Sequence, residues 1–317
     1  MRVFYHCYDT VQPSGGQKHT YEHVDVLSRN GYDAYVYHQR EGFRLRWFDN
    51  DTPVVGHAQF KKLYDESRDY IVLPEDLGGK ILDYPGKKVI FDKNIYYGFR
   101  ALGWKTPAYP GLQPGVVAIL AVSEHNAAHL RFAYPAQRIF RVTFKLDEEI
   151  FRFRPLAQKK RRIACSTKNP MFTQTLFHML QARAAAGLNR LAEYEWVMLD
   201  AMTEAELAAA LQDSLLLIFL SATEGLGRVP LEGLACGCIL AAFASGPLRE
   251  TLPPIYHVEE GDVLALARRI ESVTSGFPDE LPFTQEQVLE ARGMALRYSR
   301  AAQERSVLSA WEQIVRG

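Results

Sequence analysis

Two glutamates, Glu224 and Glu232, stand eight positions apart within LLLIFLSATEGLGRVPLEGLACGCIL, residues 215–240. Glu224 falls in a Glu-Gly-Leu-Gly turn. Glu232 falls in a segment from Val229 to Ala235 that reads as a helix, with Pro230 in its first turn, where proline is tolerated. Between the two carboxylates, Gly225 and Gly227 let backbone N–H groups face outward at a helix N-terminus, where an anionic phosphate or a sugar hydroxyl can sit. Acidic pairs at this spacing arise by chance in any chain of this composition. An ordinary crossover from strand to helix is therefore the plain alternative. The context is more specific: a buried apolar strand at 215–220, the glycine turn, the helix, and then Ala235-Cys236-Gly237.

Such residues need strands to carry them, and the chain supplies these in alternation with helices. The first half reads as strands at 3–8, 34–38, 70–73, 88–91, 117–122 and 139–144. A helix over 17–30 ends at Gly31, and a second over 124–132 is capped by Ser123. A basic stretch at 151–162, FRFRPLAQKKRR, shows no core face and reads as an interdomain linker. The pattern then restarts with strands at 162–166 and 195–199 and helices at 170–186 and 204–212. After the glutamate-bearing unit come strands at 239–243 and 255–258, a helix at 263–274 and a last helical region over roughly 284–316. Alternation of this kind predicts an α/β chain with open, mostly parallel sheets.

At 317 residues the chain exceeds the usual single core, so two domains are expected. Lysine plus arginine and aspartate plus glutamate balance at 37 each, which gives no case for a nucleic-acid partner from net charge. The N-terminus, MRVFYHCYD, runs straight into a strand without a signal-peptide pattern, and no apolar stretch reaches membrane-spanning length. The expected location is therefore soluble and cytoplasmic. Cys7, Cys165, Cys236 and Cys238 form no C-x-x-C pair and are expected as buried free thiols. His19 with His23, and His125 with His129, lack an H-E-x-x-H arrangement and read as helix-surface pairs. Asp49-Asn50-Asp51 mimics a metal-binding D-x-D but follows no apolar strand, so a solvated loop is expected there.

The stretch 215–240 resembles the E-x₇-E signature of retaining glycosyltransferases, in particular family 4 of the GT-B fold. Three further segments carry the likeness. Pro13-Ser14-Gly15-Gly16 follows the first strand and is neither a Walker A loop nor a G-x-G-x-x-G fingerprint. Ile163 to Pro170 places Lys168 where a strand ends, and Tyr298 to Arg316 carries Trp311 and Ile314 on an apolar stripe. The likeness covers most of the chain but is strong only over 160–265. It implies two Rossmann-like domains facing a central cleft: 1–150 for the acceptor, joined by a C-terminal helix at about 298–317 that crosses back, and 151–297 for the nucleotide-sugar donor.

The resemblance also implies roles. Glycosyl transfer proceeds through an oxocarbenium-like transition state as negative charge builds on the departing phosphate. Such charge calls for cations and N–H dipoles fixed in advance. Lys168, Arg228 and the turn around Gly225, Leu226, Gly227 and Val229 would supply them, with Gly15 and Gly16 approaching the diphosphate from the first domain. Glu224 would hold the transferred sugar, and Glu232 would accept from both ribose hydroxyls. The family commonly pairs an arginine with a lysine at the diphosphate. Here only Lys168 is well placed, Arg162 lies at the wrong end of its strand, and Arg228 could substitute. Where the family often has a sugar-contacting histidine, the segment Phe91 to Tyr97 offers Asn94 or Lys93.

The resulting expectation is a retaining hexosyl- or deoxyhexosyltransferase that uses no metal or other cofactor. It would move sugar from a nucleotide diphosphate to a glycan or lipid-linked acceptor, with no nucleic-acid partner. A GT-B nucleotide-sugar epimerase and a non-catalytic nucleotide- or carbohydrate-binding protein remain alternatives. Acceptor choice is expected in loops at about 39–66 and 92–115, and the base is expected to be read by backbone groups around 198–202. The relatives' lipid-linked acceptors imply peripheral contact with the inner membrane face. Arg40, Arg44, Arg46, Trp47, Lys61 and Lys62 fit such a patch, an acceptor-binding loop or a plain solvated loop.

Overall fold

A computed structural model describes residues 1–104, 109–244 and 246–317. The expected acceptor segment 92–115 therefore includes four residues, 105–108, outside the described ones. The chain divides into two compact units, Met1–Lys145 with Ser299–Gly317, and Leu146–Tyr298.

The first unit begins with β1 (Arg2–His6), α1 (Gly15–Arg29), β2 (Asp33–Tyr37), β3 (Val54–Val55) and α2 (His57–Leu63). It continues through β4 (Tyr70–Pro74), β5 (Lys87–Asp92), α3 (Ile95–Leu102), β6 (Val116–Ala121), α4 (Glu124–Ala133) and β7 (Ile139–Arg141). Its strands form one sheet in the order β3-β2-β1-β4-β5-β6-β7, every pair parallel. The apolar runs predict this, since a parallel strand covered on both faces is apolar along its length. Val3, Phe4, Ile71, Leu73, Val89, Ile119 and Leu120 are all buried. The turns are set by caps: Ser123 Oγ accepts from Asn126 N at 3.1 Å, and Gly31 takes φ +83° after α1.

The second unit contains β8 (Lys160–Ser166), α5 (Pro170–Ala185), β9 (Glu195–Leu199), α6 (Glu204–Asp213) and β10 (Ser214–Phe219). Then follow α7 (Arg228–Ala235), β11 (Ile239–Ala242), α8 (Leu248–Thr251), α9 (Val263–Gly276) and α10 (Gln285–Ala295). Four strands pair in parallel in the order β11-β10-β8-β9. The last helix, α11 (Arg300–Arg316), is capped by Ser299 and returns to the first unit. Trp311 is buried there, and its indole N–H donates to Tyr5 Oη at 2.9 Å. The last helical region expected over roughly 284–316 is made of two helices, α10 and α11.

Other sequence expectations fail for physical reasons. The basic run 151–162 is no linker. Phe151 and Leu156 are buried, and a Cβ at Gly237 would come within 2.6 Å of Arg154 O. The buried Lys159 Nζ donates to Leu211 O, Gln212 O and Cys236 O at 3.1, 3.0 and 2.7 Å, meeting the exposed carbonyl ends of α6 and α7. Asp213 pairs with Arg154, Lys160 and Arg162, so this unit consumes the charges internally. The strand expected at 255–258 is instead entered by a 3₁₀ turn, Pro254–Tyr256, in which Tyr256 N and His257 N donate to Pro253 O and Pro254 O and so are withdrawn from a strand ladder.

His19 and His23 are not on the surface. Both are buried on α1, with ring centroids 4.7 Å apart, and His23 stacks on Phe91. The loop carrying Arg44 is anchored to the body of the unit, Phe43 packing on His38, Phe48 on Tyr21, and Leu45 N donating to Tyr21 Oη. Arg44 turns inward to Asn50 Oδ1 and Thr52 O, while Asp49 and Asp51 are exposed. All four cysteines are buried and free.

Candidate functional site

In an open parallel sheet the place for a ligand is beyond the carboxyl ends of the strands, where the chain winds in opposite directions from two neighbouring strands. Each unit has one such point. In the first unit it lies between β1, which leads to β2, and β4, which leads to β5. In the second it lies between β8 and β10, whose next strands lie on opposite sides.

At the second unit's switch point, neighbouring strand ends bring together residues far apart in sequence. Lys168 follows β8 and Glu224 follows β10, and Lys168 Nζ donates to Glu224 Oε1 at 2.9 Å across 56 positions. Lys168 also lies over the Phe219 ring, 5.7 Å from its centroid. The turn is held by a left-handed residue: Asn169 has φ +53° and its amide donates to Leu220 O at 3.2 Å. On the other side Gly227, at φ +82°, stands at the N-cap of α7 and has no side chain with which to cap it. A Cβ on Gly227 would stand 2.6 Å from Leu248 Cδ2, so a larger residue would have to push that side chain aside and would also be strained at this φ. Gly225 and Leu226 are buried beneath the loop, and Val229 is half-buried in the first turn of α7. Arg228 Nε stands 3.5 Å from Glu232 Oε1, one helical turn on, with both side chains largely buried. Arg162 sits at the opposite end of the sheet, bound to Glu195 and Asp213.

At the first unit's switch point, Gly15 and Gly16 open α1 directly after the β1 turn. Gly16 packs closely on the Lys93 stem, and a Cβ there would meet Lys93 Cδ and Cε at 3.3 Å, so the stem would have to give slightly. Lys93 Nζ reaches Glu75 Oε2 at 2.8 Å and Phe91 O at 3.1 Å. Glu75 is the first residue beyond β4, and burial pushes its carboxyl above the usual range while the Lys93 charge opposes the shift. Asp92, at the end of β5, is raised further by burial and then by the Glu75 charge, and accepts from Asn126 Nδ2 at 2.7 Å. Asn94 caps α3, its side-chain oxygen accepting from Tyr96 N and Tyr97 N at 3.0 and 3.4 Å. Of the two residues offered by that segment, Lys93 is the one packed against the glycine loop. Among the described residues no three His, Cys, Asp or Glu side chains gather as a metal-ion site.

Residues 188–281, which hold both Glu224 and Glu232, match the family of glycosyl transferases group 1. No curated protein matches the chain by sequence. Solved structures do match it over nearly its whole length. Sucrose-phosphate synthase of Thermosynechococcus elongatus aligns with a TM-score of 0.71 at 12% identity, covering 99% of this chain and 98% of that one. HepE of Anabaena, solved with UDP and glucose, gives 0.67 at 13% identity, covering 100% and 99%. A glycosyltransferase of Rickettsia africae gives 0.66 at 16%, again covering 100% and 99%. The fold is GT-B.

Within this GT-B chain the expected residues gather in two sets, each at its own unit's switch point. Lys168, Glu224, Gly225, Leu226, Gly227, Arg228, Val229 and Glu232 surround the β8–β10 switch, and Gly15 and Gly16 lie at the β1–β4 switch with Lys93 beneath them. Glu75 and Asp92 escaped sequence reading. Their signal was available, since each is an acidic residue at or just past the end of an apolar parallel strand.

Proposed function

We propose that the chain is a retaining glycosyltransferase of family 4, binding a nucleotide-diphosphate sugar at the β8–β10 switch point. The observation that carries this reading is the double pairing there, Lys168 with Glu224 and Arg228 with Glu232. In this reading the cations would meet a diphosphate and the carboxylates hydroxyls, Lys168 and Glu224 from the loops after β8 and β10 and Arg228 and Glu232 from α7. The family match over 188–281 and the UDP bound to the similar Anabaena protein support it.

In this reading the bond from the anomeric carbon to the phosphate oxygen breaks as the acceptor oxygen bonds to the same sugar face. The acceptor's proton passes to the departing phosphate. Lys168, Arg228 and the turn amides meet the phosphate charge without a metal. Glu224 faces the sugar and Glu232 the ribose. The donated group is a hexose or deoxyhexose and the acceptor a glycan or a lipid-linked saccharide.

Calorimetric titration with UDP, GDP, dTDP, ADP and CDP, without metal, tests the reading. One diphosphate should bind at roughly micromolar strength, and both Glu232→Ala and Lys168→Ala should weaken it. Binding of none of them by the wild type sinks the donor-site reading.

A further inference from the structure

The Lys168–Glu224 pair is asymmetric in a way that bears on which ligand the site prefers. The lysine side chain is 55% exposed and the glutamate 12%. Lys168 can turn toward an incoming anion and stay solvated, whereas Glu224 cannot follow it into water. A diphosphate that draws Lys168 away therefore strands a largely desolvated carboxylate, which is unfavourable unless new donors replace the ammonium.

We infer that Glu224 makes the site favour a sugar-bearing donor over the bare nucleoside diphosphate, by competing with the phosphates for Lys168. This rests on the donor-site reading above. The hydroxyls of an intact donor's sugar can donate to Glu224 once Lys168 has moved, whereas a nucleoside diphosphate has no group to put there. Glu232 carries no such discrimination, because the ribose it faces is present in both molecules. The consequence is directional. The spent nucleotide, which has lost its sugar, returns Lys168 to Glu224 and is held less tightly than the donor was.

Glu224→Gln tests this, since it removes the charge while keeping shape and hydrogen-bonding capacity. The variant should bind UDP, or whichever of the other four diphosphates the wild type binds, about two- to fivefold more tightly, the range of a partly exposed ion pair. The gain should shrink in about 0.5 M salt. It should vanish in a Lys168→Ala background, as a double-mutant cycle requires. Unchanged or weaker binding by a Glu224→Gln protein that melts like the wild type overturns the inference and leaves the donor-site reading standing. A gain that survives without Lys168 overturns it too. Failure of wild type and variants alike to bind any of the diphosphates removes the donor-site reading and the inference with it.

Discussion

Each unit sets a lysine against a glutamate at its switch point, and the two pairs have almost the same length: 2.8 Å for Lys93–Glu75 and 2.9 Å for Lys168–Glu224. Their surroundings differ. The Lys93 and Glu75 side chains are 17% and 5% exposed, and the lysine stem packs under Gly16. Lys168 is mostly in water. Coulomb attraction grows as the local dielectric falls, and so does the cost of losing one partner. The first pair therefore acts as a brace that fixes the glycine loop against the ends of β4 and β5. In the proposed donor site the second would be an exchangeable contact, since its lysine is 55% exposed. Distance alone does not separate a structural ion pair from a binding one; burial does.

The largest effect expected from this contrast is on the brace. Lys93→Met keeps an apolar stem against Gly16 but leaves Glu75 buried without its cation. Denaturant unfolding at pH 7 should show a loss of about 3 kcal/mol, the low end for breaking a buried pair. The loss should be smaller at pH 4, where Glu75, already pushed up by burial, is closer to neutral. An undiminished loss at pH 4 would assign the effect to packing instead of charge.

A second expectation concerns His6, at the end of β1 in the same unit. Burial pushes its imidazole down to about 4, with the Asp9 charge opposing the shift. A base whose folded value is depressed contributes its full stability above the unfolded value of about 6.5 and loses it as pH falls toward the folded one. Stability should therefore decline between those values by at most about 3 kcal/mol from this group. His6→Phe, which keeps a ring against Tyr37, should flatten that decline. An unaltered acid limb would mean that other groups, such as the buried His23, carry it.

Much of this architecture was legible because buried parallel strands write themselves as apolar runs. Residues 215–220 and 117–122 gave strands within a residue or so of β10 and β6. The GT-B expectation came from the alternation together with the family resemblance carried by the glutamate-bearing turn. The sequence failed where a charged residue is buried by partners distant in the chain. Lys159 looked like solvated linker because the three carbonyls it caps come from two helices more than 50 positions away. His19 and His23 looked like surface because α1 is covered on that side by Phe91 and its neighbours, which periodicity does not reveal. The positions of Glu75 and Asp92 at strand ends were readable, but their burial was not. Their burial depends on Gly98 packing against them, where a Cβ would stand 3.2 Å from both. The candidate site was more readable in the second unit, where Glu224, Gly225, Gly227, Arg228 and Glu232 lie within nine consecutive residues.

The smallest expected effect is the most discriminating. Lys168→Ala removes the cation from a pair as short as the brace, so a view based on distance alone predicts a comparable loss of stability. The exposure of Lys168 argues otherwise. Its ammonium is already hydrated, water reaches the pair from the lysine's side, and the side-chain entropy released on truncation offsets part of the lost attraction. Unfolding of Lys168→Ala should thus fall within about 1 kcal/mol of the wild type, even as diphosphate binding suffers. A loss close to that of Lys93→Met would make Lys168 a brace as well. A site whose cation is needed to hold the fold cannot release it to each incoming phosphate, so the exchangeable character of the second pair stands or falls on this near-silence.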